Sequence, residues 1–114
     1  VRDGLAIKSL LKCGVNIGIV ITDTFGRPWR VGQVNVAIGL AGLPATIKEH
    51  GRDAYGRALS VTEPAFCDEI SAASGLVMKK SEKTPFVFLR GLKWNEGNHT
   101  AADVIREAKE DMFL

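Results

Sequence analysis

The sequence lacks the features that mark several large classes of protein. Its 114 residues hold no apolar run of membrane-spanning length, so we expect no membrane partner. There are 15 Lys and Arg against 13 Asp and Glu, and the net charge of +2 is too small to indicate a nucleic-acid partner. A polybasic surface at Lys79, Lys80 and Lys83 is a weak interpretation, because Glu82 interrupts the cluster. Neither a phosphate-binding glycine loop nor a dinucleotide-binding fingerprint occurs.

Cysteine and histidine are also scarce. Cys13 and Cys67 lack metal-ligand spacing and no secretory signal precedes them, so we expect two reduced core thiols in a cytoplasmic protein. His50 and His99 stand alone in polar, turn-like surroundings and are expected at the surface. The sequence therefore gives no support to cysteine–histidine or serine–histidine–aspartate catalysis.

Hydrophobic periodicity indicates an α+β fold, a mixed sheet with packed helices. The strand after Gly14 reads as buried, because both of its faces are apolar. In the first half of the chain, the patterns predict a helix that ends at Gly14, a strand at 16–22 and a second strand at 31–38. Turns and short extended pieces are expected from 39 to 59. The second half is predicted to hold a helix that begins at Pro64, a strand at 84–89 and a last helix from near Thr100.

The helix opened by Pro64 has the clearest pattern. Thr62 or Glu63 is expected to cap it, since proline is tolerated in the first helical turn. The acidic residues near its start fit the helix dipole. Its apolar positions recur at spacings of four, three and four, which predicts one buried face made of Phe66, Ile70, Ala73 and Val77.

The segment Thr22–Arg30 is the strongest candidate for a binding or catalytic site. Asp23 and Thr24 place a carboxylate and a hydroxyl at the end of the predicted strand, and such oxygens are preferred by Mg²⁺ and Mn²⁺. Arg27 and Arg30 are spaced to bring guanidinium groups to a phosphate or a substrate anion. The alternative is an ordinary turn that Asp23 caps locally, with both arginines in solvent.

Four blocks of residues occur in the order typical of one enzyme family. They are Ile21–Arg30 with Val36–Gly42; Arg52–Leu59 with Val61, Thr62 and Asp68–Ile70; Pro85–Gly91; and Glu110–Phe113. The blocks are distributed along nearly the whole chain. In them, the sequence resembles the coenzyme F-420 gamma-glutamyl ligase family.

The resemblance implies a GTP-dependent ligase that joins L-glutamate by an amide bond to the deazaflavin precursor of coenzyme F-420. It also implies an acyl-phosphate intermediate, GTP as co-substrate, a divalent metal (Mg²⁺ or Mn²⁺) and a homodimer. Residues 1–114 are then expected to be the C-terminal portion of a larger two-part ligase fold, with the N-terminal half absent. Alone, this portion is not expected to catalyse.

The resemblance also implies which residues form the site, wherever a position of this sequence matches a functional position of the family. Asp23 matches a metal ligand of the family, and Thr24 matches a ligand of a second ion. The segment that matches the nucleotide-contacting residues is Met78, Lys79, Lys80, Ser81, Glu82, Lys83 and Thr84.

The sequence departs from the family pattern after the long helix. Lys79 and Lys80 stand where glycine and then glutamate or glutamine are typical, so an ammonium group replaces a metal ligand. One alternative is therefore a catalytically degenerate relative that binds a ligand. A second alternative is a dimerisation module that uses Phe86, Phe88, Leu89 and Trp94, although such large apolar side chains more commonly form core.

Overall fold

The computed structural model describes residues 17–48, 55, 62–79, 81, 83–95 and 100–111. These residues form two antiparallel strands, β1 (Ile19–Arg27) and β2 (Arg30–Ala41), and one α-helix, α1 (Phe66–Gly75). Two short 3-10 helices follow, at Ala101–Val104 and Ala108–Glu110. The α+β class is thus confirmed, while a mixed sheet and the two-part fold stay predictions, since the described residues hold one antiparallel pair. The predicted helix before Gly14, Cys13 and both histidines lie outside the described residues.

The first strand is longer than the sequence predicted. It runs on from Thr22 to Arg27, because those residues pair in an antiparallel ladder with the start of β2. The connection is a two-residue turn of Pro28 and Trp29, where proline fixes the first φ and Trp29 takes a φ of 57°. The prediction that Thr22–Arg30 is a loop beyond a buried strand is therefore wrong. The segment is the first arm and the turn of a hairpin, and its residues are half-buried or exposed.

A β-bulge interrupts the hairpin in its middle. Ile21 pairs with Gly39 and Thr22 pairs with Ala37, so Ile38 is the extra residue of β2. Ile38 is 55% exposed, whereas Ala37 and Leu40 on either side of the bulge are buried. The bulge thus shifts the strand's side-chain alternation by one residue and lets both flanking residues reach the core.

The core lies between the end of β2, the loop after it and α1. Leu40, Leu43 and Ala45 pack with Cys67 and Ala101. Partly buried side chains close its margins: Val20, Phe66, Ile70, Trp94 and Val104.

Trp94 ties the residues after α1 to this core. Its indole Nε1 donates a hydrogen bond to the Gly42 carbonyl at 2.9 Å, and its ring lies 6.0 Å from that of Phe66 in a tilted arrangement. This confirms that Trp94 belongs to the core margin. Phe86 and Phe88 differ, since they are 78% and 92% exposed.

Only half of the apolar face predicted for α1 packs against the core, since Phe66 and Ile70 are partly buried there. The buried residues of the helix are Cys67, Ser71 and Ser74, whereas Ala73 and Val77 are exposed. The two serine hydroxyls donate to the carbonyls of Cys67 and Ser71 at 2.8 and 2.7 Å, so their burial leaves no hydroxyl unpaired. Small side chains on this face allow α1 to approach the sheet closely.

Cys67 is a buried free thiol, as predicted. Burial, together with the nearby Asp68 carboxylate, raises the pKa of Cys67 from 9.0 to about 11. The thiol therefore stays neutral at physiological pH and packs as a small apolar group.

The predicted cap of α1 is also wrong. The helix begins at Phe66 after Ala65, and no side chain caps it. The Glu63 carboxylate instead accepts a hydrogen bond from the Thr46 hydroxyl at 2.9 Å. Backbone bonds from Ile47 to Pro64 and from Cys67 to Ala45 join the same two segments, which leaves Glu63 engaged with the neighbouring loop.

The C-terminal elements are weaker than predicted. Residues 84–90 form no strand, so the strand predicted at 84–89 is wrong. The last helix is reduced to 3-10 turns: Thr100 and Asp103 form a capping box, and Ile105 breaks the helix with a ψ of 122°. None of the helices in the described part of the chain is long and apolar enough to cross a membrane.

Asp68 joins α1 to the bulge of β2. Its Oδ1 accepts a hydrogen bond from the Ala37 backbone N–H at 2.9 Å. The sequence predicted for this residue only an interaction with the helix dipole, and Asp68 does lie in the first turn of α1. Its carboxylate therefore interacts favourably with the helix dipole and also bonds to the sheet.

Gly18→Ala should destabilise the protein. An added Cβ would overlap with Leu43 Cδ2 and stand 3.2 Å from Trp94 Cζ2, and Leu43 is too deeply buried to move aside. We expect urea denaturation of the full-length protein to show a loss of about 1–3 kcal/mol in unfolding free energy. Gly26→Ala is the matched control, because its Cβ would meet nothing within 4 Å. Equal stability of the two variants would contradict this packing.

Asp68→Ala should also lower the free energy of unfolding, by about 1–3 kcal/mol, because the Ala37 N–H would lose its acceptor. Glu69→Ala is the control: Glu69 is an exposed carboxylate in the same helical turn, and its loss should cost at most about 1 kcal/mol. Asp68→Asn keeps an acceptor oxygen and should fall between the two. If Asp68→Ala costs no more than the control in chemical denaturation, the bond does not contribute as described.

Candidate functional site

An open cleft of about 400 Å³ lies between the hairpin and the residues that follow α1. The middle of the hairpin forms one wall, and Gly75 of α1 with described residues of the segment after it forms the other. Its lining residues are Thr22, Asp23, Thr24, Asn35, Gly75, Met78, Lys79, Lys83, Thr84 and Pro85. The fold thus brings the predicted metal ligands to the same cleft as much of the predicted nucleotide-contacting segment.

The hairpin wall presents oxygen-bearing side chains toward α1. Thr22 and Thr24 are half-buried, and they stand directly opposite Ala37 and Asn35 of β2. Facing residues of an antiparallel pair share one face of the sheet. The Thr24 Oγ1 lies 3.5 Å from Asn35 Oδ1, a long hydrogen bond in which the hydroxyl donates. This face meets α1 where Gly75 adjoins the Asn35 side chain.

Asp23 occupies a different position from its two threonine neighbours. It is exposed, and the alternation of β1 directs its side chain to the sheet face opposite Thr24. The Thr24 backbone N–H donates to Asp23 Oδ1 at 2.8 Å and fixes the carboxylate at the rim of the cleft. Strand alternation therefore directs the two side chains to different faces of the sheet, and their role as ligands of separate ions stays a prediction.

The donor set fits a divalent ion that nucleotide phosphates help to hold. Among the described residues no three His, Cys, Asp or Glu side chains cluster as an all-protein metal site. Among its described lining residues the cleft offers one carboxylate, that of Asp23, together with the hydroxyls of Thr22 and Thr24. Mg²⁺ in nucleotide sites is commonly bound in this way, by one or two carboxylates together with phosphates and waters.

The other wall carries positive charge. Met78, Lys79, Lys83 and Thr84 line it, as the nucleotide interpretation expects, whereas Ser81 is exposed outside the cleft. Lys80 and Glu82 lie outside the described residues. Two lysines facing hydroxyl and carboxylate oxygens suit an anionic ligand whose charge both walls can share.

Lys83 has a positive φ of 51°, an uncommon conformation for a residue with a side chain. Such backbone strain costs on the order of 1–3 kcal/mol and is concentrated at ligand sites. The turn around Lys83 is thus held by its surroundings in a conformation that local preference opposes.

Arg27 and Arg30 do not line this cleft. They flank the hairpin turn, about 13 Å along β1 from Asp23 at the usual rise of a strand. The Arg27 Nη2 donates to the Val31 carbonyl at 3.2 Å, while its buried Nε has no hydrogen-bond partner among the described residues. Arg30 is exposed. Their role in binding an anion stays a prediction, and it would concern a different region from the cleft.

Three lining residues were missed by sequence reasoning: Asn35, Gly75 and Pro85. Asn35 lay in a predicted strand without a recognised partner. Only the hairpin register sets it opposite Thr24, and only the approach of α1 sets it beside Gly75. Pairing signals of this kind are long-range and are not carried by local periodicity.

The chain is similar to proteins of one known enzyme family. A family model described as F420-0:Gamma-glutamyl ligase matches residues 5–91. Three similar proteins, each named coenzyme F420:L-glutamate ligase, come from Methanopyrus kandleri (44% identity over 106 residues, 88% of this chain and 42% of the relative), Methanothermobacter thermautotrophicus (45% over 107, 88% and 41%) and Natronomonas pharaonis (40% over 112, 96% and 44%).

The match covers most of this chain but only part of each relative. The chain spans about two fifths of the length of the relatives that it matches. Both the family model and the identities nevertheless extend over the hairpin, α1 and the segment after it, which together form the cleft. The chain therefore belongs to the F420-0:gamma-glutamyl ligase family.

Proposed function

We propose that this chain forms the metal- and nucleotide-binding part of a GTP-dependent ligase that adds L-glutamate to the deazaflavin precursor of coenzyme F-420. The observation that carries the proposal is the composition of the cleft. Asp23 and Thr24 of the hairpin line the same cleft of about 400 Å³ as Lys79 and Lys83, with Asp23 at its rim. Family membership supports the reaction class, and the names of the relatives support glutamate and the F-420 precursor as substrates.

The proposed reaction has two steps. The γ-phosphoryl group of GTP passes to a carboxylate oxygen of the precursor, which gives an acyl phosphate and GDP. The glutamate amine then attacks the acyl carbon, inorganic phosphate leaves with the former carboxylate oxygen, and the amine loses a proton as the amide forms. A bound Mg²⁺ or Mn²⁺ supplies charge neutralisation for the phosphates.

The residues of this chain have distinct roles in that scheme. Asp23 and Thr24 would hold the metal ions through oxygen atoms on the two faces of β1. Lys79 and Lys83 would bind phosphate oxygens as point charges from the opposite wall. Asp23 and Thr24 lie on β1, whereas Lys79 and Lys83 lie in the segment that follows α1, so the hairpin is the rigid wall against which the lysines would hold the phosphates.

Isothermal titration of GTP with Mn²⁺ into the full-length protein tests the site. We expect Asp23→Asn and Lys83→Asn each to weaken binding about 10- to 100-fold, as for the loss of one charge-assisted contact. Asparagine tolerates a positive φ, so Lys83→Asn retains the backbone turn. Lys93→Asn, an exposed lysine outside the cleft, is the control and should bind as the unmodified protein does.

Two results would contradict the proposal. If both cleft variants bind GTP as tightly as the control, the nucleotide site lies elsewhere. If phosphate release from GTP does not depend on both glutamate and the deazaflavin precursor, the reaction is a different one. Parallel titrations with ATP establish whether guanine is selected.

A catalytically degenerate relative is the second candidate, and Lys79 favours it. A lysine lines the cleft where the family pattern has glycine, and Asp23 is the only carboxylate among the described lining residues. The double substitution Lys79→Gly with Lys80→Glu restores the family pattern. Ligation that appears only in this variant would identify the native protein as a binding relative, whereas activity in the native protein would exclude that candidate.

A homodimer belongs to the same proposal. The exposed rings of Phe86 and Phe88 supply apolar surface that a second subunit can cover. Sedimentation of the full-length protein measures its state of association directly.

A further inference from the structure

Asn35 holds an unusual position in the cleft. It lies on β2 opposite Thr24, and its Oδ1 is the acceptor for the Thr24 hydroxyl. Its amide nitrogen, Nδ2, is directed to the other side, where it lies 3.1 Å from the place that a Cβ on Gly75 would take. The side chain is thus set between a strand neighbour and the end of α1, at the base of the wall that Lys79 and Lys83 face.

The Nδ2 group has hydrogens to donate. In the part of the chain that the structure describes, no acceptor is paired with Nδ2, and this atom is not sealed from the cleft. Because the Thr24 hydroxyl donates to Oδ1, the donor end of the amide is turned away from Thr24 and lies beside Gly75, another residue that lines the cleft. Thr24 therefore sets the direction in which Asn35 can bond.

A hydrogen-bond donor at this position determines which kind of ligand atom Asn35 can bind. An amide N–H₂ cannot ligate a metal ion, and it bonds well to an anionic oxygen. The positively charged opposite wall favours the same kind of group. A phosphate oxygen that lies between the walls can accept from Nδ2 while it contacts an ammonium group from the other side.

We propose that Asn35 is a phosphate-binding residue of this cleft, that its Nδ2 donates to a phosphate oxygen of the bound nucleotide, and that Gly75 is required because any side chain there displaces the amide. The inference rests on the nucleotide site proposed above. It adds a ligand contact from β2 and gives a reason for glycine in the last turn of α1.

The test is a double-mutant cycle on Asn35 and Gly75 in the full-length protein, with GTP and Mn²⁺ titrated by calorimetry. Asn35→Ala should weaken binding about 10- to 100-fold. Asn35→Asp keeps the shape but replaces the donor with a negative charge, and should weaken binding further. Gly75→Ala should weaken it by about 3- to 10-fold, since the Cβ pushes Nδ2 by a few tenths of an ångström.

The cycle separates this role from a general effect on folding. On the Asn35→Ala background the side chain that Gly75 accommodates is gone, so Gly75→Ala should change affinity by less than about twofold. Gly75→Ala should also maintain or raise the unfolding midpoint, since alanine favours the helix. Asn95→Asp, an exposed residue outside the cleft, is the control for the asparagine-to-aspartate change and should leave both measurements unchanged.

Inorganic tripolyphosphate serves as the second probe, because it lacks base and sugar. Asn35→Ala should weaken its binding by the same factor as that of GTP, and unchanged tripolyphosphate affinity would overturn the phosphate assignment. If Lys83→Asn weakens GTP binding while the Asn35 variants do not, this inference fails and the nucleotide site stands. If the unmodified protein binds neither probe, the proposed function fails and this inference fails with it. Full additivity of the two substitutions would overturn the role given to Gly75.

Discussion

The geometry of the cleft depends on the hydrogen bond between the Asp68 carboxylate and the Ala37 backbone N–H. This bond holds the start of α1 against β2 beside the bulge, where the ladder is interrupted and a backbone donor needs a partner. With that end fixed, the axis of α1 sets where its other end lies. Gly75 then meets Asn35, and the residues after Gly75 form the second wall.

Close approach between α1 and the sheet requires small side chains, and the helix supplies them. Ser71 and Ser74 are buried, but each hydroxyl donates a hydrogen bond within the helix. The helix can therefore lie close to the sheet without leaving either hydroxyl unpaired. A larger apolar face would have moved the helix outward and widened the cleft. The small side chains therefore bury less apolar surface than larger ones would, but they keep the cleft narrow enough for one ligand to contact both walls.

Much of the fold could be predicted from the sequence, and the errors share one cause. The α+β class, both strands and the helix after Pro64 follow from local periodicity. Three features do not: the continuation of β1 to Arg27, the buried serines of α1 and the lack of a strand at residues 84–90. Each of them depends on which residues lie opposite in space. The candidate site divides in the same way: the sequence pattern and the resemblance predict Asp23 and Thr24 as ligands, whereas only the hairpin register places Asn35 beside them.

The extension of β1 through Thr22–Arg30 changes how that segment can act. In a loop, its oxygens and guanidinium groups could gather around one ligand. In a strand, successive side chains alternate between faces and positions four residues apart are separated by about 13 Å. The side chains of Asp23 and Thr24 then lie on opposite faces of the sheet. Arg27 lies at the hairpin turn, where it donates a hydrogen bond to the Val31 carbonyl. A strand suits a reaction in which several phosphate and metal positions must be held at fixed separations, since its regular spacing imposes them before the ligand arrives.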